Sequence, residues 1–240
     1  MIDFGIIAAG DGNRIRHEGS KLPKPLLDMG GTPMIGRLIS LMEAGGASSV
    51  NIIVNDAMPE VENYLHNYVP DTKCVLKILS TRTPSSMHSF YELIELMKPA
   101  DKFIVTTVDT IFRGDVFNSY IEYFKNAPDD VDGVMGITSF VDDETPLYVN
   151  VDCNNDIISF TDEAPEIKAT YKTFISAGIY GLCKTSLPVL QKSVTEGVSR
   201  MRNFQRQLVE SGLKLKAFNF GKVVDIDHLS DIEKANALLV

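Results

Sequence analysis

The first half of the chain alternates short apolar runs with amphipathic stretches of helical period. Residues 4–9 (FGIIAA) are apolar up to Gly10, which predicts a short buried strand. A later stretch carries apolar side chains at the i, i+3, i+4 and i+7 spacing of one helix face: Phe90, Leu93, Ile94 and Met97. Strands that alternate with helices predict a mostly parallel sheet with helices on both faces, a three-layer α/β fold.

The stretch between the first two strands has its own start and stop signals. Thr32 is suited to an N-cap and Pro33 to the first helical position, so we expect a helix to begin there. Gly45 and Gly46 are expected to end it.

The pattern changes in the second half. Short apolar segments around turns such as Asn154–Asn155 predict a small antiparallel extension of the sheet from about residue 132. No internal repeat or linker interrupts the sequence, so we expect a single domain over residues 1–240. We expect residues 1–130 to form mainly its nucleotide-binding half and residues 131–240 mainly its acceptor-binding half.

Composition narrows the classes of partner. The chain has 240 residues, is 44% hydrophobic and carries a formal net charge of -9, which disfavours a general nucleic-acid or anionic-membrane surface. Its three cysteines are far apart, which fits a reducing compartment. The sequence shows neither a signal-peptide pattern at its start nor a run of ~20 apolar residues. We therefore expect a cytoplasmic protein that acts away from membranes.

Positive charge is concentrated behind the first strand, in IIAAGDGNRIRHEGSKLPKPLL (residues 6–27). Gly10 and Gly12 follow the strand directly, where backbone N–H groups can approach an anion. Four cations follow within residues 14–24: Arg14, Arg16, Lys21 and Lys24. Such a loop suits a polyphosphate, although charge alone is equally compatible with a solvated surface loop. Neither the dinucleotide-binding G-x-G-x-x-G pattern nor the P-loop pattern is present.

The order of these residues is more specific. G-x-G-x-R followed by P-K-P-L, with Lys24 ten positions after Arg14, resembles the signature of the sugar-1-phosphate nucleotidylyltransferases, or pyrophosphorylases. The phosphocholine cytidylyltransferases share this signature. Three further segments resemble the same family in the same order: VTTVDTIF, SAGIYGL and VVDIDHLSDIEKAN. The resemblance implies the GT-A-like nucleotide-diphospho-sugar transferase fold over nearly the whole chain.

The resemblance also implies roles for individual residues. In the family, the glycine loop and its arginine hold the triphosphate, and the lysine of Pro-Lys-Pro contacts phosphate. The nucleotide-binding set implied here is Ala8, Ala9, Gly10, Gly12, Arg14, Lys24, Ser85 and Ser86, with Arg14 and Lys24 as the catalytic cations. The acceptor-binding set is Lys168, Ala177 and Gly178, and the ligands of Mg²⁺ (or Mn²⁺) are Asp109 with Asp225 or Asp227. Asp225 is the favoured partner because it aligns with the family's metal-binding aspartate.

The chain departs from the family pattern at the acceptor. The Glu-Lys-Pro that often precedes the sugar-pocket strand is absent, and Lys168 is the candidate substitute for its lysine. The segment at residues 81–90 also differs from the common base-recognition pattern. The expected activity is transfer of NMP from an NTP to a phosphorylated small molecule, with a sugar 1-phosphate favoured over phosphocholine, and release of pyrophosphate. The sequence does not determine the oligomeric state, and a homo-oligomer is compatible with it.

Two other functions would use the same fold. A glycosyltransferase of the same fold would need Asp-x-Asp after the central strand, whereas residues 109–111 are Asp-Thr-Ile. A non-catalytic nucleotide sensor would not need the intact arginine, lysine and aspartate positions.

Overall fold

A nine-stranded sheet and a two-stranded ribbon form the β-structure of the computed structural model, within the residues it describes, 2–68, 72–140, 145–164 and 170–239. The strands are β1 (Ile2–Ala8), β2 (Ser49–Val54), β3 (Val75–Ser80), β4 (Lys102–Thr107), β5 (Thr110–Ile111), β6 (Gly133–Thr138), β7 (Tyr148–Val151), β8 (Ile157–Thr161), β9 (Lys172–Cys183), β10 (Leu215–Asn219) and β11 (Val224–Asp225). The helices are α1 (Asn13–His17), α2 (Met34–Ala44), α3 (Pro59–Tyr68), α4 (Ser86–Met97), α5 (Gly114–Lys125), α6 (Leu187–Thr195), α7 (Met201–Glu210) and α8 (Asp231–Leu239).

The order of the sheet is β10–β6–β9–β4–β1–β2–β3. Strands β4, β1, β2 and β3 run parallel, and β9 runs antiparallel to both of its neighbours, β4 and β6. The predicted α/β class with a mostly parallel sheet is confirmed. The expected start of the extension near residue 132 is wrong, because β6 is fully buried and pairs with β9 and β10 inside the central sheet. The antiparallel extension consists of β7 and β8, which pair with each other and, through β7, with β9.

Helices cover both faces of the sheet because side chains alternate along each strand. In β1, Phe4 and Ile6 belong to the core that also contains the apolar faces of α2, α3 and α5. Ile7 belongs to the second core, with α4 and α7. No helix in the described part of the chain has the length and apolar character needed to cross a bilayer.

The start of α2 differs from the expected one by one residue. Pro33, with φ −55° and ψ 143°, is the N-cap, and the helix begins at Met34. A tight turn causes the shift: the Met29 N–H donates to the Thr32 carbonyl (2.8 Å), and Pro33 is held in a β-bridge with Asp28. Thr32 is therefore part of the turn and not the N-cap. The predicted stop is confirmed, because the helix ends before Gly45.

A short ribbon connects the chain's C-terminal part to the end of β4. Strands β5 and β11 pair antiparallel, with Asp225 opposite Thr110. The Ile226 N–H also donates to the Asp109 carbonyl (3.1 Å). Among the described residues, β11 pairs with β5 in this ribbon and is not part of the central sheet. The ribbon nevertheless brings both acidic segments to one place.

Candidate active site

The glycine loop connects β1 to α1 and takes its shape from Gly12. This residue has φ +60° and is the N-cap of α1. A Cβ at this position would also lie 3.1 Å from the Lys24 Cβ. Gly10, in contrast, has no positive φ, and a Cβ there would meet nothing within 4 Å. Gly12 is therefore the position that requires glycine.

A buried asparagine at the end of β2 fixes this loop. Asn55 Nδ2 donates to the Ala9 carbonyl (3.2 Å) and to Asp11 Oδ1 (2.9 Å), while its Oδ1 accepts the Ala57 N–H (3.0 Å). All three hydrogen-bonding groups have partners, as burial requires. Our sequence reasoning missed Asn55. The available signal was a polar residue directly after the apolar strand VNIIV.

Lys24 lies on a single 3-10 turn between Pro23 and Pro25 and points at two carboxylates. Its Nζ is 2.7 Å from Asp109 Oδ2 and 3.2 Å from Asp227 Oδ1, and its side chain is only 13% exposed. Burial by itself would lower the pKa of Lys24, but the two carboxylates outweigh it, and the pKa is raised above its ordinary value. The ammonium therefore stays charged at neutral pH.

The three aspartates of the site, Asp109, Asp225 and Asp227, differ in their surroundings. Burial alone would raise the pKa of Asp109, but the Lys24 charge and hydrogen bond lower it overall. Asp227 contacts two cations, Lys24 and Arg14, whose NH1 lies 3.3 Å from Asp227 Oδ2. Asp225 Oδ1 instead accepts a hydrogen bond from the Thr110 hydroxyl (2.8 Å).

These carboxylates are placed to share a cation. Because Lys24 contacts both, the nearest oxygens of Asp109 and Asp227 are no further apart than the sum of its two contact distances. In the described ranges, no group of three or more His, Cys, Asp or Glu side chains is arranged to enclose a metal ion by itself. Mg²⁺ bound together with substrate phosphates needs only one or two carboxylates. The acidic residues of the ribbon fit that requirement.

Two cavities meet at Asp109. The first, the glycine-loop cavity, has a volume of about 290 Å³ and includes most of the predicted nucleotide-binding residues: Ala8, Ala9, Gly10, Gly12, Lys24, Ser85 and Ser86. Arg14 lies in a smaller adjoining cavity of about 200 Å³, with Gly12, Lys24 and Asp227. The second, the β9 cavity, has a volume of about 330 Å³ and contains Asp109, Asp225 and Asp227. The glycine-loop cavity and the β9 cavity share Ser86, Thr107 and Asp109.

The middle of β9 forms one wall of the β9 cavity. Gly178 has φ +66°, and a Cβ there would lie 2.6 Å from Thr110 Oγ1 and 2.7 Å from Thr107 Oγ1. Ser176 and Gly178 line the cavity, whereas Ala177 is 1% exposed and lies in the core. The Ala177 side chain faces the opposite side of the strand from these two residues, so a contact of Ala177 with the acceptor would have to be made by its backbone. Lys168 lies outside the described residues.

Two arginines in the β9 cavity escaped the sequence reasoning. Arg200 and Arg202 lie at the start of α7 and line this cavity. Arg202 is held by Asp162 (2.6 Å) and by the Thr145 carbonyl (2.8 Å). The available signal was the basic run SRMRNFQR at residues 199–206.

Comparison with known proteins identifies the class that this fold and site define. The family model described as nucleotidyl transferase matches residues 5–239, so the chain belongs to the nucleotidyl transferase family. The predicted family and enzyme class are confirmed. The bifunctional protein GlmU of Methanococcus maripaludis strain C5 is 23% identical over 98% of this chain and 54% of its own length. GlmU of Bartonella quintana is 24% identical over 97% of this chain and 52% of its length. The chain thus spans about half the length of the curated relatives it matches.

Solved structures share the fold. A Bacillus anthracis protein assigned as a glucose-1-phosphate thymidylyltransferase superposes with a TM-score of 0.82 at 20% identity, covering 99% of this chain and 95% of that one. The inositol-1-phosphate CTP transferase from T. maritima gives a TM-score of 0.76 at 18% identity, over 100% and 98% of the two chains. At these identities the likeness concerns the fold alone.

Proposed function

We propose that the protein is a divalent-metal-dependent nucleotidyltransferase that transfers NMP from an NTP to a phosphorylated small molecule, with a sugar 1-phosphate as the favoured acceptor. One observation carries the proposal: the Lys24 ammonium lies between Asp109 and Asp227 where the glycine-loop cavity and the β9 cavity meet. Positive and negative groups converge where a triphosphate in one cavity would face an acceptor in the other.

The reaction needs placement and charge screening more than it needs a base. The second pKa of a phosphate monoester is near ~6, so the acceptor is mostly a dianion at neutral pH. Its oxygen attacks the α-phosphorus of the NTP, the bond from that phosphorus to the bridging α–β oxygen breaks, and pyrophosphate leaves with that electron pair. Lys24 and Arg14 would screen the β- and γ-phosphates and stabilise this leaving group.

The metal would be held by the acidic residues of the ribbon. We propose Asp109 with Asp225 or Asp227 as the ligands of Mg²⁺ or Mn²⁺. Asp227 shares the Lys24 contact with Asp109, and Asp225 is held by the Thr110 hydroxyl. A bound ion would neutralise phosphate charge, as divalent metals do in phosphoryl-transfer sites. Carboxylate oxygens suit either of these hard cations.

The β9 cavity supports an anionic acceptor. The exposed residue Arg200 lines this cavity together with Asp109, Asp225 and Asp227, so an acceptor phosphate would contact the arginine while its reacting oxygen faces Asp109. The names of two structurally similar proteins pair the fold with inositol 1-phosphate and with glucose 1-phosphate. Both compounds are phosphate monoesters of polyhydroxylated rings, and such compounds are the acceptors to include in an activity assay.

An NTP-by-acceptor panel read by pyrophosphate release tests the proposal. Each of ATP, CTP, GTP, UTP and dTTP is combined with several sugar 1-phosphates, inositol 1-phosphate and phosphocholine, in Mg²⁺ and in excess EDTA. We expect metal-dependent pyrophosphate release with at least one sugar or polyol phosphate, and none for Asp109→Asn. Full activity in EDTA would refute the metal's role.

The same panel, extended with nucleotide sugars as donors and with a measurement of NTP binding, separates the alternatives. Turnover with phosphocholine and CTP alone would assign the protein to the cytidylyltransferase branch. Release of a nucleoside diphosphate from a nucleotide sugar would indicate a glycosyltransferase. Tight NTP binding without any product would indicate a nucleotide sensor.

A further inference from the structure

Helices α4 and α7 begin side by side at the wall between the two cavities. Ser85 Oγ accepts a hydrogen bond from the Arg200 N–H (3.2 Å), and Ser86 Oγ accepts one from the Met201 N–H (3.1 Å). Ser85 is the N-cap of α4, but its side chain does not cap that helix. The first amides of a helix lack acceptors within the helix, and here the two serines of α4 supply acceptors at the start of α7.

The residue held in this way has an unfavourable backbone conformation. Arg200 has φ +69° and ψ 137°, a region that costs free energy for any residue other than glycine. Such a conformation persists only when surrounding contacts determine it. The amides of Arg200 and of the next residue are both fixed by serine hydroxyls. The positive φ sets the direction in which the arginine side chain leaves the backbone, and this side chain lines the β9 cavity.

The three arginines of this region have different surroundings. Arg202 and Arg206 both contact Asp162, at 2.6 Å and 2.5 Å. Among the residues that the structure describes, no carboxylate lies within ion-pair distance of Arg200. Within the described part of the chain, Arg200 is therefore the guanidinium of this group that no carboxylate contacts, and we take it as the one that meets an anionic ligand.

We propose that Ser85 and Ser86 are positioning residues that hold the Arg200 backbone in this conformation, so that its guanidinium faces the acceptor phosphate. The inference rests on the proposed function for the identity of that anion. This proposal changes the role expected for the two serines. Their hydroxyls would contribute to acceptor binding by positioning Arg200, and would not bind the nucleotide. Ser86 lines both cavities, which explains why a residue on the nucleotide side controls the acceptor side.

Kinetics of four variants test this role: the double variant Ser85→Ala/Ser86→Ala, Ser86→Thr, Arg200→Gly, and the triple variant that combines all three losses. The acceptor is the sugar 1-phosphate with the highest turnover in the panel. We expect the double variant and Arg200→Gly each to raise KM for the acceptor about tenfold, as for the loss of one charge-assisted hydrogen bond, with KM for the NTP within about twofold. Ser86→Thr keeps the hydroxyl, so its KM for the acceptor should lie closer to that of wild type than to that of the double variant.

The triple variant gives the sharpest outcome. Glycine tolerates the positive φ and has no guanidinium to position, so adding the serine losses to Arg200→Gly should raise KM for the acceptor no further. Additive effects would overturn the proposal, and so would a rise in KM for the NTP equal to that for the acceptor. Ser199→Ala is the matched control, because it makes the same change beside Arg200 without touching either hydrogen bond.

Amide hydrogen exchange separates failure of this proposal from failure of the proposed function. In the protein without substrates, the double variant should exchange the amides of Arg200 and Met201 about tenfold faster than wild type, and Ser199→Ala should not. Unchanged exchange would refute the role of the serines whatever the substrate is. If no member of the panel releases pyrophosphate while exchange does accelerate, the proposed function fails and the serine contacts stand.

Discussion

Replacing Lys24 with methionine removes the cation on which the candidate site is built. The methionine side chain fills similar space, and the lysine stem is already largely buried, so the loss is mainly one of charge. Removing one hydrogen-bond donor that stabilises an oxyanion in the transition state typically lowers turnover by a factor of about 10²–10³, and the Lys24 ammonium is such a donor for the departing pyrophosphate. We expect kcat/KM for the NTP to fall by at least that factor. Arg14 should account for the residual screening of pyrophosphate.

The same substitution leaves Asp109 and Asp227 facing each other without their shared partner. A hydrogen bond to a charged group contributes about 1.5–3 kcal/mol, but the two carboxylates are 31% and 37% exposed and partly screened by water. We therefore expect a loss of about 1–2 kcal/mol in the free energy of unfolding. For a chain of this size that corresponds to a decrease in Tm of roughly 2–8 °C.

The loss of stability should depend on pH in a defined way. The pKa of Lys24 is raised above its ordinary value of 10.5, so its contribution is complete below that pH and is lost as the pH rises through the folded-state pKa. The pKa of Asp109 is lowered below 3.8, so its contribution is present above that pH and is lost as the pH falls through the folded-state pKa. The stability difference between wild type and Lys24→Met should form a plateau between these limits and shrink outside them.

Urea unfolding across this pH range and steady-state kinetics at neutral pH measure both effects. Lys21→Met is the matched control, because Lys21 is exposed on the same loop. Normal kcat/KM in Lys24→Met would remove the triphosphate assignment. A stability difference that stays constant into strong acid would show that the Lys24–Asp109 contact is not the source of the effect.

Three further substitutions test the loop, the β9 wall and the metal. Gly12→Val should weaken NTP binding in calorimetry more than Asp11→Ala does, because φ +60° and the nearby Lys24 Cβ oppose a branched side chain; equally small effects would mean that the loop does not hold phosphate. Gly178→Ala combines φ +66° with contacts below 2.8 Å to two threonine hydroxyls, so thermal melts should show a loss of about 1–3 kcal/mol. Gly10→Ala should leave Tm unchanged, and an equal loss at both glycines would contradict this reasoning. Asp109→Asn should reduce pyrophosphate release by a larger factor than it reduces NTP affinity in titrations. Retained turnover would exclude this residue as a metal ligand.

Local sequence pattern determined much of this protein. Periodicity fixed the strands and helices of the first half, because burial on one face of an element repeats at the period of that element. The order of Gly10, Gly12, Arg14 and Lys24 indicated a phosphate-binding loop after β1. The apolar run FIVTTV directly before Asp109 indicates a buried strand, whose carboxyl end lies at the same edge of the sheet as the loop. All of these inferences depend on residues close together in sequence.

Only the tertiary structure decided which groups meet. Lys24 contacts Asp109 and Asp227 across 85 and 203 residues, and Ser86 contacts Met201 across 115. These pairs depend on sheet order and on the β5–β11 ribbon, which local patterns do not encode. The direction of a side chain is also decided by the tertiary structure. Arg200 lines the β9 cavity from a backbone conformation that its residue type rarely adopts, and the basic run around it does not predict that conformation. The sequence specified the chemical groups, whereas long-range packing specified their partners.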